Sequence, residues 1–78
     1  MKKIEEKLAK LINDEPGKEF KVIMVTESNT DFNKLELRQF NRLMDNILSA
    51  TLTGKEIINL SKNNKIISIE PDMEMNIL

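Results

Sequence analysis

The stretch from Glu19 to Glu27 constrains the fold more than any other part of the chain. Phe20, Val22 and Met24 alternate onto one face and Ile23 and Val25 onto the other, with β-branched residues throughout. A strand that is apolar on both sides is central in its sheet, or has its second face covered by something else. Ser28-Asn29-Thr30-Asp31 then breaks the pattern as a turn.

Upstream, Lys2 to Asn13 reads as an amphipathic helix, with Ile4, Leu8, Leu11 and Ile12 at i, i+4, i+7 and i+8. Asp14-Glu15-Pro16-Gly17 ends it and makes a short linker. Such a helix packs on its own domain or binds a partner. Residues 32 to 48 read two ways. Phe32, Leu35, Phe40, Leu43, Met44 and Ile47 cluster on one side at 100° per residue, which argues for helix. Leu35 and Leu37 also alternate with Glu36 and Arg38, and Asp45-Asn46 suits a hairpin turn before Ile47 to Leu52. The pattern leaves both open.

Thr53 to Asn63 is the better helix. Thr53 with Glu56 three residues on has the form of a capping box, and Ile57, Leu60 and Ile58 make a buried stripe. Asn63 or Asn64 is placed to end it in the left-handed conformation. A strand follows, with Ile67 and Ile69 apolar, and Pro71 closes its ladder because proline has no N–H to donate. Beyond it Met73, Met75, Ile77 and Leu78 form an apolar tail, which needs its own core or a partner's groove to lie in.

Composition narrows the function classes. Seventy-eight residues make one domain, near the size where a single core is only marginally stable. Without Cys there is no disulfide or thiolate metal site, and without His the commonest general base and metal ligand is missing. No nucleophile–base pair is therefore expected, and no cofactor or metal. A net charge of −1, a pI near 5.4 and three Phe as the only aromatics argue against a nucleic-acid partner. No run approaches a membrane span, and the charged start Met1-Lys2-Lys3 leads into no apolar run of the secretory kind. The expectation is a small soluble domain that acts by binding.

Ser49-Ala50-Thr51-Leu52-Thr53, then a helix, then Ile69-Glu70-Pro71-Asp72 and a short apolar tail resembles the propeptide of the subtilisin-like serine proteases. The similarity covers roughly residues 19–78; each piece is short, but their order and spacing agree together. Gln39-Phe40 lies upstream, where that family has part of its second strand, so the resemblance favours Leu35–Met44 as strand. It implies an α+β fold, a ferredoxin-like four-stranded antiparallel sheet with helices on one face. The first crossover helix would be short or missing, since only Ser28–Lys34 is available for it. Residues 1–18 would be an extra N-terminal helix and linker covering the vacant part of the sheet, 19–72 the α+β domain, and 73–78 an extended tail.

The resemblance also implies a function. Such propeptides lay the open face of the sheet on two parallel helices of the protease, with Glu70 and Asp72 meeting the helix N-termini. Orphan N–H groups and the positive dipole end favour carboxylates there, each contact worth on the order of 1–3 kcal/mol. Met75, Asn76, Ile77 and Leu78 would lie extended in the substrate cleft, with Leu78 in the primary specificity pocket and Met75 in the apolar pocket three residues upstream. The partner is then a subtilisin-like serine protease, its own mature domain, which the propeptide helps to fold and then inhibits. An end at an apolar residue suits a cleaved propeptide better than a dedicated inhibitor. A stand-alone inhibitor of the same fold is the alternative, and a small ferredoxin-like regulatory or assembly domain is a third. The Asn-, Lys- and Ile-rich composition is compatible with a protease kept inside a cell or spore, as clostridial germination proteases are.

Overall fold

In the computed structural model, which describes residues 3–72, the stretch at Glu19 becomes β1 (Glu19–Thr26) and is central. It pairs antiparallel with β3 (Ile47–Thr53) on one side and with β4 (Ile66–Pro71) on the other. β2 (Phe40–Met44) pairs antiparallel with the far edge of β3, giving the order β2-β3-β1-β4. Two helices, α1 (Glu6–Asp14) and α2 (Gly54–Ser61), complete the α+β fold, with the strand order of a ferredoxin-like sheet. β1 and β2 run in the same direction on either side of β3. The crossover between them holds only a 3-10 turn, Phe32–Leu35, in place of a full helix.

The buried residues explain how so short a crossover suffices. Phe20, Val22 and Met24 of β1 face inward with Leu48, Ala50 and Leu52 of β3 and Ile66 and Ile69 of β4. α2 lays Ile57 and Leu60 on this layer, and α1 adds Leu8 and Ile12. The crossover itself fills the core beside β2 with Phe32 and Leu35, 1 % and 7 % exposed, while α1 enters from the outer edge of β4 and packs against α2. Phe32 meets Phe40 edge-on, with ring centroids 5.8 Å apart, and the Arg42 guanidinium sits 4.2 Å from its ring centroid. These contacts tie the short turn to β2.

The N-terminal segment is joined to the sheet as well as to the core. Glu5 N–H donates to Ile69 O (2.9 Å) and Ile69 N–H donates to Lys3 O (2.8 Å), so the chain runs parallel to the outer edge of β4 before α1 begins. The Glu5 carboxylate then accepts from Leu8 N–H and caps the helix. The linker closes over the start of α2, where Pro16 O accepts from Lys55 N–H and Lys18 O from Gly54 N–H, both at 3.2 Å. These bonds use two donors that a helix start leaves without intrahelical partners. Position 54 must be glycine for this approach. A Cβ there would lie 2.9 Å from Pro16 O and 3.0 Å from Pro16 Cα, both backbone atoms that cannot swing away.

Several local expectations are corrected. Leu35–Met44 is not one strand; β2 starts at Phe40, because Phe32 and Leu35 both turn inward at the three-residue period of a 3-10 turn. Glu36 follows in the left-handed region (φ 58°), which breaks the extended run that the Leu35–Leu37 alternation suggested. Leu11 and Ile58 are 42 % and 41 % exposed, so the buried stripes are narrower than read. α2 ends at Lys62 in ordinary right-handed geometry, and neither Asn63 nor Asn64 is left-handed; Asn63 Oδ1 instead accepts from Lys65 N–H. Pro71 is the last residue of β4 and of its pairing with β1, as expected, but not for want of an N–H, since Asp72 N–H still donates to Lys21 O (2.9 Å). Ile69 N–H points to the outer edge, and Pro71, two residues on, has its missing N–H on that same side.

Candidate docking site

The face of the sheet opposite the helices carries the candidate site. Register puts Lys21 opposite Thr51, Ile23 between Ser49 and Glu70, and Val25 between Ile47 and Ser68. On β2, Asn41 extends the Ser49 row and Met44 the Ile47 row. Glu70 therefore shares this uncovered face with Ile23. The bond from Asp72 N–H to Lys21 O sets Asp72 opposite Lys21, on the same face, about 7 Å further along β4. Glu70 is exposed and has no side-chain partner among the described residues. The two carboxylates expected to act together thus end one strand side by side, on the face that no helix covers.

At the helix side of the same end of the sheet, a charged cluster holds α2 to the strands. Thr53 and Glu56 make the full capping box, with Thr53 N–H donating to Glu56 Oε1 (2.8 Å) and Glu56 N–H to Thr53 Oγ1 (3.2 Å). Arg38 Nε and Nη2 donate to the two Glu56 oxygens (3.2 and 2.9 Å), and Nη2 also reaches Glu19 Oε2 at 3.1 Å. One arginine thereby connects the loop before β2, the start of β1 and the first turn of α2. Sequence reading found the capping box but not Arg38, since nothing local in a sequence brings residue 38 to residues 19 and 56.

The Thr53 N–H, and after it the Arg38 guanidinium, hold the Glu56 carboxyl below the usual glutamate range. A depressed folded-state value favours folding while the unfolded carboxylate is already ionised, and that gain is lost as pH falls through the folded-state value. Glu56→Gln is therefore expected to lower the thermal midpoint at neutral pH and to match the wild type below the glutamate range. Melts recorded across that window check it. Over half of the Arg38 side chain is exposed, so its share should be the modest one of a surface pair.

Of the expected site residues, the fold brings Glu70 and Asp72 together; Met75, Asn76, Ile77 and Leu78 lie outside the described residues. Among the described residues no cluster of three or more acidic side chains could hold a metal ion, and no helix is long and apolar enough to cross a membrane. No protein-family model, curated protein or solved structure matches the chain.

Proposed function

We propose that this domain binds and inhibits a subtilisin-like serine protease as its propeptide, docking through the open sheet face and placing Met75 to Leu78 in the substrate cleft. One observation carries this: Glu70 and Asp72 stand about 7 Å apart on the face that no helix covers among the described residues, directly before residues 73–78 in the sequence. A pair of carboxylates so spaced suits the N-termini of two neighbouring helices, where backbone N–H groups lack partners and the dipole is positive. Nothing has to move to expose Glu70, so its carboxylate is ready for such a contact.

In this role the tail supplies main-chain hydrogen bonds to the strands that line the cleft, and Leu78 and Met75 fill pockets. The sheet face and the tail act as two linked binding elements, so engagement of one raises the effective concentration of the other. A domain that binds the folded protease and not the unfolded chain also stabilises the protease, which accounts for an accompanying folding role.

The test is inhibition of a panel of subtilisin-like proteases by the full chain and by a Glu70→Gln, Asp72→Asn variant. Loss of two charge-assisted contacts, about 2–6 kcal/mol, is expected to weaken inhibition about thirtyfold to ten-thousandfold, at about 1.4 kcal/mol per factor of ten. Thermal stability should be little changed by Glu70→Gln, because that side chain is exposed. A folded wild-type chain that inhibits none of the panel would remove this function.

A further inference from the structure

Neither edge of the sheet favours the addition of another strand. The outer edge of β4 is occupied by the N-terminal segment, through Glu5 N–H to Ile69 O and Ile69 N–H to Lys3 O. At the opposite edge β2 is short, and its register against β3 shifts between Arg42 and Met44, which bulges the strand at Leu43. Short, bulged or covered edges resist edge-to-edge pairing. Among the described residues the open face is the part of the sheet left to meet another molecule.

Register arranges that face in rows, read here in the order β2, β3, β1, β4. The first row is Met44, Ile47, Val25 and Ser68, with the bulge residues Leu43 and Ile67 at its two ends. Leu43, Met44 and Ile67 are 53 %, 62 % and 51 % exposed. A bulge re-aims a side chain, and here Ile67 is turned out beside Ser68 while Ile66 and Ile69 stay buried. The second row is Asn41, Ser49, Ile23 and Glu70. The third holds Thr51, Lys21 and Asp72, with Gln39 lining the same shallow recess as Lys21 and Thr51.

We propose that this face binds a second copy of the chain, face to face, about a two-fold axis parallel to the strands. Such an axis reverses the strand order, so β2 of one copy lies over β4 of the other and β3 lies over β1. The apolar row then meets itself: Leu43 and Met44 lie over Ile67 of the partner subunit, and Ile47 lies over the partner's Val25. In the other rows Glu70 lies over an Asn41 amide, Asp72 over the Gln39 end of β2, and Lys21 over a Thr51 hydroxyl. No charge faces another of its own sign. A two-fold axis running across the strands at mid-face would instead press the apolar row onto Lys21 and Asp72, which costs the desolvation of both charges. A net charge of −1 leaves little repulsion between copies.

Sheets stacked in this way lie about 10 Å apart with their strands within about 30°. The outer strands are about 14 Å apart and Lys21 to Val25 spans about 13 Å, so with its side chains the face is about 20 Å square, roughly 400 Å² in projection. A stable complex takes about 800 Å² of accessible surface from each partner, which puts this dimer in the weak, reversible class. The inference stands apart from the proposed function. Where both hold, the dimer covers the face that carries Glu70 and Asp72 and withholds it from a protease.

The experiment is sedimentation velocity on the full chain from about 10 µM to about 1 mM, the range of a weak interface. Expected are monomers at the low end and a rising dimer fraction above it. Met44→Lys and Ile67→Glu, each at an exposed side chain, should leave the circular dichroism spectrum unchanged and raise the dissociation constant about tenfold or more. Mixed in equal amounts, these two variants set a cation over an anion across the axis, and the dimer should return. If either misfolds, Leu43→Lys or Ser68→Glu in the same row takes its place. A chain still monomeric at the highest concentration would overturn the proposal, and so would a dimer that neither single variant weakens, since another surface would then hold it. Folded variants that lose the dimer and do not recover it on mixing would overturn the two-fold arrangement. Inhibition is not read in any of these measurements, so their failure leaves the proposed function standing.

Discussion

A chain lacking residues 1–16 is expected to be unfolded at room temperature, although those residues lie outside the stretch with propeptide-like pattern. The deletion removes Leu8 and Ile12, which are 0 % and 2 % exposed and belong to the same buried cluster as the sheet. Truncating one buried Leu or Ile to Ala costs about 2–5 kcal/mol, and losing both with their helix costs more. It also strips Lys3 and Glu5 from the edge of β4, and Pro16 O from Lys55 N–H at the start of α2. A typical domain has only about 5–15 kcal/mol in total, with one this small towards the low end. Circular dichroism and urea titration of the deletion check it; a cooperative, wild-type-like transition would refute it. Leu8→Ala alone should lower the urea midpoint by an amount equivalent to about 2–5 kcal/mol, with the slope preserved.

Removing Met75 to Leu78 is expected to weaken protease inhibition a hundredfold or more while leaving the thermal midpoint where it was. Fully burying a Leu or Met side chain gains about 1.5–3 kcal/mol, so the Leu78 and Met75 pockets together account for about 3–6 kcal/mol. At about 1.4 kcal/mol per factor of ten, that is roughly two to four powers of ten before the main-chain bonds are counted. The described core side chains lie between Ile4 and Ile69, upstream of the tail. Inhibition assays and melts of the truncated and full chains separate these effects. Equal inhibition by both would place the binding energy in the sheet face alone and exclude the cleft-filling tail.

The two truncations divide the molecule by what each end does. The N-terminal segment is joined to the sheet and core, and on the proposed function the C-terminal one would supply affinity for the protease. Between them Arg38, Glu56 and Gly54 hold α2 in place, and the open face remains available to a partner.

How far the sequence could be read depended on how local the cause was. β1 was legible because its two-faced apolar alternation is a property of eight consecutive residues. The capping box at Thr53 and Glu56 was legible because both partners lie within one helical turn. The Asp45-Asn46 turn was one of two readings that the pattern left open, and the structure has it between β2 and β3. In the candidate site, Glu70 and Asp72 were paired in advance only through the resemblance, and the register of β4 against β1 then sets both on one face.

The remaining features come from contacts between distant parts of the chain. Residues 32–48 stayed ambiguous because turn and strand are separated there by the pairing of β2 with β3 and by the burial of Phe32 and Leu35 in a core shared with β1 and α2, neither of which is local. Ile67 and Leu43 follow the apolar alphabet of a core but not its location, since each bulge is a register shift against a neighbouring strand. Gly54 reads as an ordinary residue at a helix start until the Pro16 backbone is seen against it. By itself the sequence determined the β1 pattern and the Thr53–Glu56 capping box, because short-range sterics and hydrogen bonds decide them. Only the tertiary structure decided that α1 packs on α2 beside β4 and that the open face has a polar and an apolar end. Both are set by which distant surfaces exclude water from one another.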